Sequence, residues 1–344
     1  MSAARTDPDD YPYVAVFVQA TGIHPTTSRL ISIDAVAFDD SGRVGEDLHI
    51  VVNPGEDPGP RHMHGLEPGD VGQAPRFSRH LKTLDKLLDA RTLVTHDSPF
   101  TWGFIVSEAR RAMNAAARAN RSRNRRNGRR RQRVGHVPRP TAIVDTLASA
   151  RRCGIIPEDT RIGAVARLVG VDGPDPTASV ERAQRPEEET SRELTLTVVA
   201  TFLELRSRGT LSSYAPEDLT ADRFSLQRST RRVDAAAEKA EAENPGVYSA
   251  GRGVRAGMEV VVADDVRVEP DEIISAALEA GLVYAEKLSR QTSLVVSDAV
   301  AAGAELRGKA MHGHRKGIPV LSAEEFFAAV SAPGRASAAG GSNV

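Results

Sequence analysis

The reading of this chain turns on residues 14–25, VAVFVQATGIHP. Tyr13–Gln19 is a short apolar run suited to a buried strand, and Thr21-Gly22 closes it as turn chemistry. Working outward, Leu30–Phe38 and Leu48–Val52 follow at hairpin-like spacing, with Asp40-Ser41-Gly42 between them as a turn. Phe77–Leu88 places Leu81, Leu84, Leu87 and Leu88 on one helical face. Thr92–Thr95 is a further strand. Pro99–Ala117, Thr141–Arg152, Arg161–Leu168 and Glu193–Arg206 read as helices. Strands first, then strands alternating with helices, predict an α/β unit with a mixed sheet flanked by helices.

The length of 344 residues accommodates about two domains. A formal charge of −1 hides a strong asymmetry. Arg110 to Arg139 holds twelve arginines and no acid, so the remainder carries −13 once +12 is taken from the total. The single cysteine, Cys153, excludes an intramolecular disulfide framework and a CxxC zinc site. No stretch approaches the ~18 apolar residues of a membrane helix, and the N-terminus lacks a signal-peptide core. These features predict a cytoplasmic protein, nucleoid association included.

The organisation expected is a disordered N-terminus over 1–10 and an α/β domain over 11–210 with an arginine-rich insertion at 118–139. A linker over 211–256, a compact α/β unit over 257–333 and a disordered tail over 334–344 follow. The insertion has no apolar periodicity and reads as a disordered or loosely helical loop. Its guanidinium groups suit phosphate, which they grip in a bidentate fork. Arg118, Arg121, Arg123, Arg125, Arg126, Arg129, Arg130, Arg131 and Arg133 are the candidate nucleic-acid contacts. Without aromatics for base stacking, binding should be weakly sequence-specific, to DNA or RNA. An acidic protein partner, or a solvated loop facing acids such as Glu187-Glu188-Glu189, is the competing reading.

Several blocks together resemble the DEDDh 3′–5′ exonucleases of the DNA polymerase III epsilon-subunit (DnaQ-like) family. They are VAVFVQATGIHP, RLISIDAVAF at Arg29–Phe38, MHGLEPGDVGQAPRF at Met63–Phe77, HDSPFTWGFI at His96–Ile105, IVDTLASARR at Ile143–Arg152 and IGAVARLVGVD at Ile162–Asp172. The resemblance implies an RNase H-like fold. It also implies two metal ions held by four acids, with a histidine to activate water. Aligned by motif, the acids fall on Phe17, Gln19, Thr101 and Thr195, and the histidine on Thr190. Hard divalent cations need oxygen ligands, mostly carboxylate, and electrostatic stabilisation dominates such chemistry. The resemblance therefore implies a fold kept and a nuclease site lost, with no cofactor expected. The alternative is an active exonuclease with relocated ligands, Asp34 and Asp97 with His96, which alone would call for Mg²⁺ or Mn²⁺. Asp39, Asp40 and Asp145 read more simply as turn or cap acids.

The stretch from Gly257 to Pro333, with GMEVVVADDV, EAGLVYAEKLSRQTSLVVSD and GKAMHGHRKGIPVLSAEEF, resembles a bacterial BRCT domain. That family binds protein partners, phosphopeptides or DNA ends. Its first-strand phosphate contacts fall on Ala263-Asp264, where an acid would repel phosphate. Ser289, Thr292 and Lys309 remain as phosphate-pocket candidates. Acids outnumber bases in this stretch, which favours a protein partner over duplex nucleic acid. The sum is a non-catalytic, exonuclease-like nucleic-acid-binding adaptor of DNA replication or repair with a BRCT partner module. A docking module for proteins alone is the third reading.

Overall fold

Strand β1 (Tyr13–Ala20) is an inner strand of a six-stranded sheet in the computed structural model, which describes residues 6–124, 133–177, 179–180 and 184–331. Its neighbours are β2 (Leu30–Phe38), β3 (Val44–Val51), β4 (Thr92–Thr95), β5 (Ala142–Asp145) and β6 (Ser212–Tyr214), in the order β3-β2-β1-β4-β5-β6. β1, β2 and β3 run antiparallel, β4 and β5 are parallel to β1, and β6 returns antiparallel to β5. All nine residues of β2 are buried, as both faces of the sheet are covered. This is the mixed, helix-flanked sheet expected from the alternation of strands and helices.

Two short helices, α1 (Arg61–His64) and α2 (Pro68–Gln73), follow β3. On one face α3 (Leu81–Leu88) and α4 (Ser98–Asn124) bury Leu81, Leu84, Leu88, Phe104 and Ile105 against Val14, Val16, Ile33 and Ala35. After α5 (Thr146–Arg152), α6 (Ile162–Leu168) and α7 (Glu187–Ser207) cover the other face. There Ile162, Leu194, Val198 and Phe202 pack on Ala15, Val36, Phe38 and Val144. Alternate residues of β1 and β2 thus serve opposite layers, the period-2 consequence of a pleated strand. Phe202 lies 5.0 Å from Tyr13 and 5.7 Å from Phe38, ring centre to ring centre, which seats α7 by aromatic contact.

The chain divides into two units, Met1–Ala150 with Pro157–Arg228, and Arg151–Ile156 with Ser229–Val344. The stretch expected as a linker is therefore largely structured. β6 completes the first sheet, and the hairpin of β7 (Leu219–Ala221) and β8 (Gln227–Ser229) follows. The hairpin tip docks on the loop after β1: the Thr26 amide donates to Phe224 O at 3.1 Å, and the His24 and Phe224 rings stack at 4.2 Å. Helix α8 (Thr230–Ala237), within the stretch expected as a linker, buries Ala235 in the core of the second unit.

That unit has four parallel strands, β9 (Glu259–Val262), β10 (Val283–Tyr284), β11 (Thr292–Val296) and β12 (Val320–Leu321), in the order β10-β9-β11-β12. Helices α9 (Pro270–Glu279), α10 (Gly308–Arg315) and α11 (Ala323–Ser331) accompany them. Val260 and Val262 face Ile273, Ile274 and Phe326, whereas Val261 and Val295 face Ile318. Parallel strands covered on both faces explain the unbroken Val runs.

Three further expectations change. Residues 142–145 form a strand before the α5 helix, because the four-residue run AIVD is too short for periodicity to separate strand from helix. α4 extends beyond Ala117 to Asn124, into the segment expected as a loop. Residues 6–10, expected to be disordered, are held by Arg91. That side chain is 1 % exposed and donates to Tyr11 O at 2.9 Å, Leu87 O at 2.8 Å and Thr6 O at 2.7 Å. The tail over 334–344 lies outside the described residues. Hydrogen bonds to a charged donor contribute about 1.5–3 kcal/mol each, and buried carbonyls left bare cost more. Arg91→Met is therefore expected to lose about 3 kcal/mol or more of stability, read as a lower denaturant midpoint with the m-value unchanged.

Candidate functional site

Strand register builds the site. Phe17 pairs with Asp34 and Asp34 with His49; Gln19 pairs with Ser32 and Ser32 with Val51. Directly paired residues share a face, so Phe17, Gln19, Ser32, Asp34 and His49 all point toward α7. The first two turns of that helix bring Glu187, Ser191, Arg192 and Thr195 down onto them. Glu187, Glu188 and Glu189 occupy the first turn, where carboxylates favour the positive end of the helix dipole.

A closed polar network results. Glu187 Oε1 accepts from Gln19 Nε2 at 2.7 Å, Ser32 Oγ at 2.6 Å and Ser191 Oγ at 2.5 Å. Its other oxygen, Oε2, lies 3.0 Å from His49 Nε2, an ion-pair contact off the N–H axis. His49 Nδ1 sits 3.3 Å from Asp34 Oδ2, and Arg192 Nε donates to Asp34 Oδ1 at 3.0 Å. Arg192 also reaches Asp47 through Nη1. Asp34 is 0 % and Glu187 4 % exposed, so both charges are removed from water.

Burial opposes the charged form of His49, but the Asp34 hydrogen bond and the Glu187 contact outweigh it and raise its pKa to about 9. Burial likewise opposes ionisation of Asp34, yet hydrogen bonds from His49 and Arg192 hold its pKa below the ordinary value. For Glu187, burial is outweighed by His49, Ser191 and Ser32, and its pKa is also lowered. At neutral pH the pattern is two carboxylates matched by an imidazolium and a guanidinium.

This donor set does not fit a pair of divalent cations. Phe17 packs with the apolar side chains of Ala15 and Val94 and has no donor oxygen. Gln19 turns its amide nitrogen, a donor, toward Glu187. Both carboxylates are already held by protein cations. Among the described residues no group of three or more His, Cys, Asp or Glu is arranged to hold a metal ion. Thr195 Oγ1 donates to Ser191 O at 2.9 Å and Thr190 Oγ1 to Glu187 O at 2.9 Å, so both hydroxyls serve the helix.

The structure brings Phe17, Gln19, Asp34 and Thr195 together, and the other candidates make the following contacts. Thr101 Oγ1 contacts His96 O at 3.4 Å. His96 has both ring nitrogens engaged, with Thr146 Oγ1 at 2.8 Å and Thr160 O at 2.7 Å, and is a structural tie between β4 and α5. Asp97 is exposed, with φ +61°, at the turn into α4. Asp34 and Asp97 therefore do not form one site with His96. Asp145 caps α5 through Leu147 N and also accepts from Ser98 N at 2.7 Å, the expected cap role. Glu187, His49 and Arg192 were not among the sequence candidates. Glu187 stood in a triple-Glu run that reads as solvated surface. His49 shows its role only once β3 is registered on β2.

Arg118, Arg121 and Arg133 are exposed, with no ion pair among the described residues. The side chain of Arg123 and residues Arg125, Arg126, Arg129, Arg130 and Arg131 lie outside the described residues. In the second unit Ser289 Oγ and Thr292 Oγ1 both donate to Glu259 Oε1 at 2.7 Å, at the start of β9. Lys309 Nζ donates to Val262 O at 3.0 Å, at the end of the same strand, and lies 3.6 Å from Glu286. The three residues expected in one phosphate pocket thus sit at opposite ends of β9, each with an acid as neighbour.

The sequence model of the Exonuclease family (RNase_T) matches residues 19–151, under half of the chain. No curated protein matches. Among solved structures, one of exonuclease I is 12 % identical over 57 % of this chain and 40 % of that chain, with a TM-score of 0.38. Exonuclease I of E. coli in complex with a dT13 oligonucleotide is 12 % identical over 56 % of this chain and 40 % of that chain, TM-score 0.38. Its zinc-bound complex with single-stranded DNA is 14 % identical over 57 % and 40 %, TM-score 0.37. The chain spans about 40 % of the length of these structures. No helix among the described residues is long and apolar enough to cross a membrane.

The His49 shift makes the network pH-dependent in a definite direction. A pKa raised from 6.5 to about 9 means the folded state holds a proton that the unfolded chain releases. The stabilisation is complete below pH 6.5 and declines as pH rises to about 9. It is worth about 3 kcal/mol at 1.36 kcal/mol per unit. Thermal melts from pH 6 to 10 should show this decline, and His49→Gln should flatten it while lowering Tm at pH 6.

Proposed function

We propose that this chain is a nucleic-acid-binding protein whose exonuclease-like unit holds a strand without cutting it. A BRCT-like second unit then recruits a protein partner in DNA replication or repair. The observation that carries the non-catalytic reading is the pairing of Asp34 and Glu187 with His49 and Arg192. Two-metal hydrolysis needs uncompensated carboxylates to offset two divalent cations that clamp the attacking and leaving oxygens. Here the protein's own cations already offset them. To regain ligands, both pairs would have to break, leaving an imidazolium and a guanidinium beside incoming metal.

The binding half rests on the match of residues 19–151 to exonuclease domains and on the arginines around 118–139. Guanidinium groups attract phosphate without needing metal. The recruiting half rests on the excess of acids in the second unit and on the acids beside Ser289, Thr292 and Lys309, which favour a protein partner over a phosphate backbone.

The test is incubation of the purified chain with labelled single-stranded DNA and RNA, with Mg²⁺ or Mn²⁺, alongside gel retardation. Both substrates should be retarded and neither shortened. Deleting Arg121–Arg133 should weaken retardation at ~100 mM salt, where several phosphate contacts still matter. Shortening that disappears in Glu187→Gln overturns the non-catalytic reading; retardation unchanged by the deletion overturns the tract's role.

A further inference from the structure

The face of the first unit away from α7 carries a feature the function above does not use. α3, α4 and the segment returning at 133–136 enclose an open groove of about 570 Å³. Its walls are Lys82, Lys86, Met113, Ala117, Asn120 and Arg133. Lys82, Lys86 and Arg133 are exposed, with no ion pair among the described residues. Lys82 and Lys86 are one helical turn apart, a rise of about 6 Å, of the order of the step between phosphates on an unstacked strand.

Asp85, itself part of the lining, and Asp89 hold the returning segment in place. Asp85 Oδ2 accepts from His136 N at 3.0 Å and lies 3.2 Å from His136 Nδ1. Asp89 takes His136 Nε2 and Arg139 N, each at 2.8 Å. Gly135 fixes this wall, since φ is +102° and a Cβ would meet Asp85 Oδ2 at 2.5 Å. The cations therefore stand on a fixed frame, exposed and without an ion pair among the described residues. Met113, Ala116, Ala117 and Val134 supply apolar surface between them. A duplex presents only phosphates outward, whereas an unpaired strand offers phosphates and sugar or base faces together.

We propose that this groove is a binding track for single-stranded nucleic acid, with Lys82, Lys86 and Arg133 gripping its phosphates and Met113 and Ala117 against the strand. The proposal rests on the nucleic-acid reading above and adds a second site to it, independent of residues 125–132. Charge complementarity selects the occupant. Three unpaired cations on an apolar floor want a polyanion with non-polar faces, and a carboxylate-bearing peptide is the competitor to exclude.

The experiment uses the full chain and fluorescence anisotropy with labelled single-stranded DNA and RNA oligonucleotides from 50 to 200 mM salt. Three variants are compared: K82Q/K86Q/R133Q in the groove, R125Q/R126Q/R129Q/R130Q/R131Q in the tract, and K287Q/R315Q/K316Q in the second unit as a charge control. The groove variant should keep the wild-type Tm, having lost no ion pair. Its log–log salt slope should become shallower by about 2, at ~0.7 per single-strand phosphate contact. The control should leave slope and affinity unchanged. The tract variant should weaken binding yet remain sensitive to the groove substitutions. A groove variant with wild-type slope overturns the groove while leaving the tract's role intact. An equal loss in the control variant overturns it too. Displacement of the oligonucleotide by poly-glutamate at equal charge overturns it in favour of an acidic protein. Absence of nucleic-acid binding by the wild type overturns both readings.

Discussion

Two carboxylates, Asp34 and Glu187, lie out of water between a sheet and a helix, and the placement of α7 over β1–β3 depends on how their charge is met. An isolated ionised carboxylate in such a place costs many kcal/mol, and in practice it would neutralise. Here it stays ionised because His49 joins the two acids from β3 and Arg192 closes on Asp34 from α7. One imidazolium shared between two carboxylates crosses the boundary between sheet and helix. The helix start is thereby tied to three strands at once, while Phe202 against Tyr13 and Phe38 ties its other half.

Such a network is weak grounds for net stability, because apolar replacements of similar volume often do as well. Its stronger consequence is positional. A one-residue slip of β3 on β2 would turn His49 to the opposite face, leaving Asp34 with Arg192 alone and Glu187 with hydroxyls and an amide. The charge pattern thus discriminates the observed register from its neighbours, even where the alternation of apolar residues in VGEDLHIV is poor. Phe17 belongs to the same logic. Beside Asp34 in the strand pairing, its ring excludes water from the network and supplies no competing oxygen.

Much of the fold was legible because its periodicities are strong. The apolar runs of β1 and β2 and the leucine face of α3 announce their burial. What was illegible was short or depended on distant pairing. Ala142–Asp145 and Ser212–Tyr214 are four and three residues long, below the length at which periodicity separates strand from helix or loop. The positions Phe17, Gln19 and Thr195, which the family resemblance implied, do converge, but the groups that hold charge there did not follow from it. Glu187 sits 155 residues from the Ser32 that donates to it. Three glutamates in a row look alike until a sheet face selects one of them.

The two sets of cations in the first unit have different fates, and the sheet separates them. His49 and Arg192, under α7, are neutralised in place and project little field outward. Lys82, Lys86 and Arg133, beside α3 and α4, are exposed and form no ion pair among the described residues, while Asp85 and Asp89 hold His136 and the Arg139 amide. α3 and α4 cover one face of the sheet and α7 the other, so these cations lie across the sheet from Phe17 and Gln19. On the proposed reading, a strand held in that groove is kept away from the motif positions, an arrangement that suits holding and not cutting.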